Sequence, residues 1–268
     1  MGRPGKGALL LKIALVQLDI VWEDVDASHA RAARLLESSA RQGARLALLP
    51  EMFSTGFSMR PERVAQPPGG PSETFLRERA CALGLWIIGS VPELAGGQAR
   101  NVALVVSPAG EVARYAKIHP FSFAGEDRQY AAGDRIVTVK VEGLRVTPFI
   151  CYDLRFPEPF RAAADATDLY AVVANWPERR EAHRRVLLQA RSIENLAYVA
   201  GVNRAGEGDG VRYAGRSVAF SPWGEVLVEA GESETVVLCD VDPAAVADAR
   251  ERFPALKDRR PEAYRLSG

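Results

Sequence analysis

Residues 146–158 read Val-Thr-Pro-Phe-Ile-Cys-Tyr-Asp-Leu-Arg-Phe-Pro-Glu, an apolar run that stops at Cys151 and gives way to a polar segment suited to start a helix. This order predicts a short buried strand that carries Cys151 to the edge of a sheet. The turn after it would expose the sulfur and aim backbone N–H groups at whatever the sulfur attacks, the logic of a nucleophile elbow built on cysteine. Alone, a single cysteine reads more readily as a small buried hydrophobe. The choice depends on what the neighbouring strands deliver to the same place. Pro148 removes a ladder donor, so it should begin the strand or lie where the neighbouring strand has ended.

Outward from this stretch, strands and helices alternate. Residues 12–18 and 46–49 read as strands around a helix in which Ala33, Leu36, Ala40 and Ala44 recur at helical spacing, with Asp26 or Ser28 as its cap. The second strand stops at Pro50-Glu51, completing a βαβ unit. A helix over 72–83 leads to a strand at 85–91. Residues 102–107 and 112–117 flank the hairpin turn Pro-Ala-Gly-Glu, and 137–141 and 146–150 are strands separated by Gly143. Further strands fall at 168–174, 198–203 and 236–241, with a second hairpin over 217–229. A basic amphipathic helix spans 181–195, and a last helix spans 243–252. No shift in composition marks a boundary, so one α/β domain with mixed sheets is expected over 9–255. A loose lead-in (1–8) would precede it and a tail (256–268) follow it.

Lys plus Arg and Asp plus Glu number 34 each, and zero net charge argues against nucleic acid or an anionic membrane as partner. Cys81, Cys151 and Cys239 are odd in number, far apart and form no CxxC or Cys/His pattern, so neither a disulfide framework nor a zinc site is supported. Cys81 and Cys239 read as packing residues. The arginines at 179–185 and 249–260, interleaved with acidic residues, read as solvated faces. The apolar run at 8–11 is cut short by Lys12, and no stretch approaches the ~20 apolar residues of a membrane span. A cytoplasmic protein without a membrane partner is expected.

Three strand ends carry chemistry. Glu51 follows Leu-Ala-Leu-Leu-Pro, Lys117 ends Val-Ala-Arg-Tyr-Ala-Lys, and Cys151 ends Thr-Pro-Phe-Ile. In open α/β sheets ligands gather beyond the carboxyl ends of strands. Singly, Glu51 reads as a capping carboxylate and Lys117 as a solvated lysine. Together they make a working set, because an ammonium favours the thiolate and a carboxylate can take the thiol proton.

Leu-Leu-Pro-Glu-Met-Phe, Tyr-Ala-Lys-Ile-His-Pro-Phe and Ile-Cys-Tyr-Asp-Leu-Arg-Phe-Pro-Glu resemble, in order, the three signature blocks of the nitrilase (carbon–nitrogen hydrolase) superfamily. Met-Phe-Ser-Thr-Gly-Phe (52–57), Ala-Asn-Trp-Pro (174–177) and Ala-Arg-Ser-Ile-Glu-Asn (190–195) resemble its ω-amidase branch. The resemblance implies a four-layer αββα sandwich of two mixed β-sheets flanked by helices, paired as a homodimer with the tail at its interface, and no metal or cofactor. It implies a small-molecule amide substrate, the ω-amide of an α-keto acid such as α-ketoglutaramate. Cys151 would be the nucleophile, Glu51 the general base, and Lys117 with the Tyr152 N–H the oxyanion donors, through a thioester. Glu126 matches the family's second glutamate, although Asp127 beside it leaves the register open. Arg155 would hold the substrate carboxylate, the alternative being an ion pair with Glu158. Phe57, Phe123, Tyr130 and Trp176 would wall the pocket. His119 and His183 read as hydrogen-bonding or solvated residues rather than bases. The competing readings are a nitrilase or N-carbamoyl amidase of the same superfamily, and a scaffold that binds without catalysis.

Overall fold

The computed structural model describes residues 10–264; the expected lead-in over 1–8 and the end of the expected tail, 265–268, lie outside the described residues. The chain first lays down β1 (Leu11–Gln17), α1 (Val25–Arg41) and β2 (Leu46–Leu48), with β1 and β2 parallel. Next, α2 (Pro61–Val64) and α3 (Pro71–Leu83) lead to β3 (Trp86–Ala95), parallel to β2. Antiparallel β4 (Gln98–Val106) and β5 (Val112–Ala116) follow. Past α4 (Glu126–Gln129) come β6 (Val139–Val141), β7 (Leu144–Ile150), α5 (Pro157–Ala163), β8 (Leu169–Ala174), α6 (Glu181–Asn195) and β9 (Tyr198–Asn203). A hairpin of β10 (Ala205–Gly208) and β11 (Val211–Ala214) precedes β12 (Val218–Phe220) and β13 (Val226–Glu229). Finally β14 (Thr235–Val241) returns to pair with β1, and α7 (Pro243–Arg252) follows.

Two six-stranded mixed sheets result, ordered β14-β1-β2-β3-β4-β5 and β13-β12-β9-β8-β7-β6. They face each other through β1 on β9 and β4 on β7, with α1 and α3 over one sheet and α6, beside α5, over the other. This is the αββα sandwich implied by the resemblance. Strand alternation builds it. Ile13, Leu15 and Leu48 share a core with Ile150, Val173 and Val202 of the second sheet, whereas Ala14, Val16 and Leu49 pack with Leu36 and Leu76 of the helices. Both faces of the central strands are therefore apolar, which explains their unbroken hydrophobic runs. Each buried Leu, Ile or Val contributes about 1.5–3 kcal/mol, and a one-residue slip would exchange the two faces. No helix among the described residues is long and apolar enough to cross a membrane.

The boundaries depart from expectation where polar residues are buried or turns are tight. Asp24, not Asp26 or Ser28, caps α1: its side chain accepts the Ala27 N–H at 2.9 Å, while buried Ser28 bonds Val21. The β3–β4 hairpin runs on to a Gly96-Gly97 turn at φ 59° and 77°, beyond the expected ends at 91 and 102. Its extension carries polar Glu93, Gln98 and Asn101, which hid it. The unexpected β10–β11 hairpin turns on Asp209-Gly210, both at positive φ, as a two-residue loop requires. Cys239 is buried, but Cys81 is exposed rather than packed, because α3 buries Leu76 and Ala80 instead. Pro148 lies opposite Ala171 of β8, and the pairing of β6 with β7 stops at Val146, so the neighbouring strand has ended.

Candidate active site

Strand direction places the chemistry. β5, reversed twice relative to β3, runs with β2, so Glu51 and Lys117 leave the same side of the first sheet. Cys151 leaves β7 of the second sheet. Two of these exits turn through left-handed residues that are not glycine, Met52 at φ 42° and Cys151 itself at φ 44°. Such backbone costs on the order of 1–3 kcal/mol and persists only where the surroundings hold it. For Cys151, the hold is Asp153. One of its carboxylate oxygens accepts from the Ile150 N–H at 3.0 Å and the Tyr115 hydroxyl at 2.8 Å; the other accepts from the His119 N–H at 3.0 Å. His119 Nδ1 also lies 2.9 Å from Asp153. Asp153 thus ties the cysteine turn to the strand that ends in Lys117.

The Lys117 ammonium is buried and bridges two buried carboxylates, Glu51 Oε1 at 2.9 Å and Glu126 Oε2 at 2.7 Å. Asn101 Nδ2 donates to the same two residues, at 2.8 Å to Glu51 and 3.2 Å to Glu126. The other Glu51 oxygen accepts the Asn175 N–H at 2.9 Å. Three well-aimed donors fix the Glu51 carboxylate, yet Oε2 keeps a lone pair for a proton. Glu126 also accepts the Phe121 N–H and is buried, whereas Asp127 is exposed. Gly133 closes the lysine strand: its N–H donates to the Lys117 carbonyl at 2.7 Å, and a Cβ there would meet the Ala116 carbonyl oxygen at 2.2 Å.

Asn101, Asn175 and Asp153 were not singled out in the sequence. Asn175 had a readable signal, since it follows an apolar strand as Glu51 does. Asn101 had none, because a polar residue inside a strand reads as solvent-facing until its partners are known.

A cavity of about 260 Å³ opens over Cys151, with Phe57, Phe121, Tyr152, Arg155 and Trp176 in its wall. Exposed Phe123 stands at its rim. Tyr130 does not reach it. Its ring packs on Met52 and Ala99, and its hydroxyl donates to the Ser58 carbonyl at 2.8 Å, so it belongs to the core beneath the site. Arg155 forms no ion pair with Glu158 among the described residues; its guanidinium lies 4.9 Å from the Trp176 ring centroid and approaches His183 Nδ1 at 3.3 Å. The solvated arginine face at 179–185 is also corrected. Arg180 lines the cavity, and Arg184 is buried and paired with Glu181 at 2.8 Å.

The Carbon-nitrogen hydrolase family pattern matches residues 12–251. The chain belongs to that family. It is 40% identical over 250 residues to the omega-amidase YafV of Yersinia enterocolitica, covering 92% of this chain and 96% of the relative. It is 30% identical over 256 residues to the 2-oxoglutaramate amidase of Bacillus subtilis, covering 94% and 98%. A solved CN-hydrolase superfamily protein from Xanthomonas campestris, with an arsenic adduct in its active site, superposes at TM-score 0.90 with 37% identity, covering 97% of this chain and 100% of that one. The protein is therefore an amide-hydrolysing carbon–nitrogen hydrolase of the ω-amidase-like branch.

Burial dominates the electrostatics of this hydrolase. It pushes the Cys151 thiol well above its ordinary range, the Glu51 carboxylate adds to the rise, and the Lys117 charge only partly offsets it. Burial and Glu51 thus favour the neutral thiol over the thiolate. Burial would lower Lys117, but Glu126 and Glu51 overcome it and hold the ammonium charged. Burial raises Glu126 against the pull of Lys117. Glu126→Gln keeps the shape but weakens the anchor of the ammonium. It should lower kcat by roughly 10- to 100-fold while stability falls by no more than about 2 kcal/mol, read from ammonia release and urea midpoints. An unchanged kcat would remove Glu126 from the mechanism.

Proposed function

We propose that this enzyme hydrolyses the terminal carboxamide of a small ω-amide of an α-keto dicarboxylic acid, such as α-ketoglutaramate, to acid and ammonia through a thioester on Cys151. The observation that carries this reading is the Lys117 ammonium, buried between Glu51 and Glu126 beside a neutral thiol at the wall of a small cavity. Glu51 takes the thiol proton as the sulfur attacks the amide carbon. Two of the three Lys117 N–H bonds go to carboxylates, which leaves the third for the oxyanion, with the Tyr152 N–H as its companion. Glu51 returns the proton to nitrogen and ammonia leaves. It then takes a proton from water, whose oxygen attacks the thioester carbon, and gives it back to sulfur as the acid departs. Arg155, which pairs with no carboxylate among the described residues, meets the far carboxylate of the substrate.

The acyl group is suggested by the omega-amidase and 2-oxoglutaramate amidase relatives. The homodimer is proposed on the same resemblance and is checked by sedimentation. Ammonia release should be compared on α-ketoglutaramate, an aliphatic nitrile and an N-carbamoyl amino acid. The keto amide should exceed the others in kcat/KM by about 100-fold or more. A nitrile or carbamoyl compound turned over as well as the amide would reassign the branch.

A further inference from the structure

Guanidinium groups on this protein are mostly paired with carboxylates; Arg45, Arg114, Arg145 and Arg184 each meet one. Arg155, Arg179 and Arg180 line the cavity with no carboxylate within 4.0 Å among the described residues; Arg179 is exposed, whereas Arg155 and Arg180 are half-buried. Arg155 and Arg180 are the two that the wall fixes in place. Both are held by aromatic faces instead. Arg155 lies over Trp176 at 4.9 Å and Arg180 over Phe121 at 5.2 Å. A stacked guanidinium is fixed in orientation and keeps in-plane N–H donors for a ligand; on Arg155 both terminal nitrogens also approach His183 Nδ1, at 3.3 and 3.4 Å. Trp176 also joins the two arginines, because its Nε1 donates to the Arg180 carbonyl at 2.8 Å while its face carries Arg155. One indole therefore sets both positions.

We propose that Arg180 is a specificity-determining residue, forming with Arg155 a two-guanidinium clamp for the carboxylate at the far end of the amide substrate. Both guanidiniums are partly shielded from water at the cavity wall, and a planar carboxylate is the partner their donors fit. Burial lowers the proton affinity of the Arg180 guanidinium and the charges of Arg179 and Arg155 lower it further, so an entering anion relieves a repulsion already present. The clamp deepens the hydrolase reading above and rests on it for the identity of the substrate. It excludes neutral amides of equal length by leaving both cations uncompensated.

Two measurements test it separately. First, glutarate is titrated by calorimetry into the Cys151→Ala protein and into Cys151→Ala/Arg180→Gln. Affinity should fall by about tenfold or more in the double variant. Second, KM is measured for glutaramate and for pentanamide, which carries methyl where glutaramate carries the carboxylate. Arg180→Gln and Arg155→Gln should each raise the ratio of the two KM values by about tenfold, with kcat for glutaramate moving less than KM, and Arg180→Lys should restore part of the loss. Glutarate that binds equally well without Arg180, or not at all, overturns the clamp, and so does an unchanged KM ratio. If glutarate binding depends on Arg180 but no amide is hydrolysed, the clamp stands and the hydrolase reading falls.

Discussion

Replacing Cys151 with alanine should lower ammonia release by roughly 10⁴-fold or more, with the thermal midpoint within about 3 °C of the wild type. The expectation follows from the resting state of the site. The thiol is buried, and burial together with the Glu51 carboxylate pushes it up, against the opposing pull of Lys117. In the proposed mechanism its chemistry appears only when Glu51 removes the proton as the carbonyl arrives. Alanine keeps the backbone turn and leaves Asp153 bonded to Ile150, Tyr115 and His119, so folding should be little affected. The residual rate would come from binding, the Lys117 ammonium and water activated by Glu51. A slow amide substrate should leave an acyl group of matching mass on the wild type, mapped to Cys151 and absent from the variant. Cys81, exposed on α3, and Cys239, buried in β14, are the controls: each can be changed to serine or alanine with ammonia release retained. An alanine variant as fast as wild type would eliminate the covalent route.

Much of this site was legible because the residues that meet there end apolar strands, and an abrupt change from apolar to polar is visible in any linear reading. Glu51, Lys117 and Cys151 are such residues, and so is Asn175. The parts that were not legible depend on partners far away in the chain. Asn101 sits within β4, and its value comes from holding two carboxylates 50 and 25 positions away. Arg180 looked like one charge in a solvated run until the Trp176 indole and the Phe121 ring were seen to hold it in the cavity. Tyr130 failed in the opposite sense. An aromatic close in sequence to Glu126 suggested a pocket wall, but its ring turns into the core with Met52. The fold was readable for a related reason. Strands buried on both faces announce themselves as apolar runs, whereas the β10–β11 hairpin, short and polar, depends on an Asp-Gly turn that composition alone does not distinguish from a loop.

Lys117→Met should lose at least about 10³-fold in kcat and about 3–5 kcal/mol of stability, the second figure being typical of breaking a buried ion pair from one side. The methionine fills the volume, so the loss is electrostatic. Without the ammonium, Glu51 and Glu126 face each other in a buried site where, among the described residues, Asn101, Asn175, Phe121 and the Cys151 thiol are the remaining donors. One of them must take up a proton. Glu126 is the candidate, because burial already raises its carboxyl in the wild type and Lys117 is the group that opposes that rise. A carboxyl whose folded-state value lies above its unfolded value binds more protons when folded, so stability falls as pH rises from the unfolded value through the folded one. Removing the lysine enlarges that effect. The variant should therefore regain part of its lost stability as the pH is lowered from 8 toward 5.5, a window in which the wild type should change less. At the alkaline end the sign reverses in origin: the raised Lys117 stabilises the wild type until pH climbs through its folded value, and the variant lacks that term. Urea midpoints across this range decide the matter. A stability loss independent of pH would show that the two carboxylates do not depend on Lys117 for their charge. An undiminished kcat would show that the oxyanion is met elsewhere.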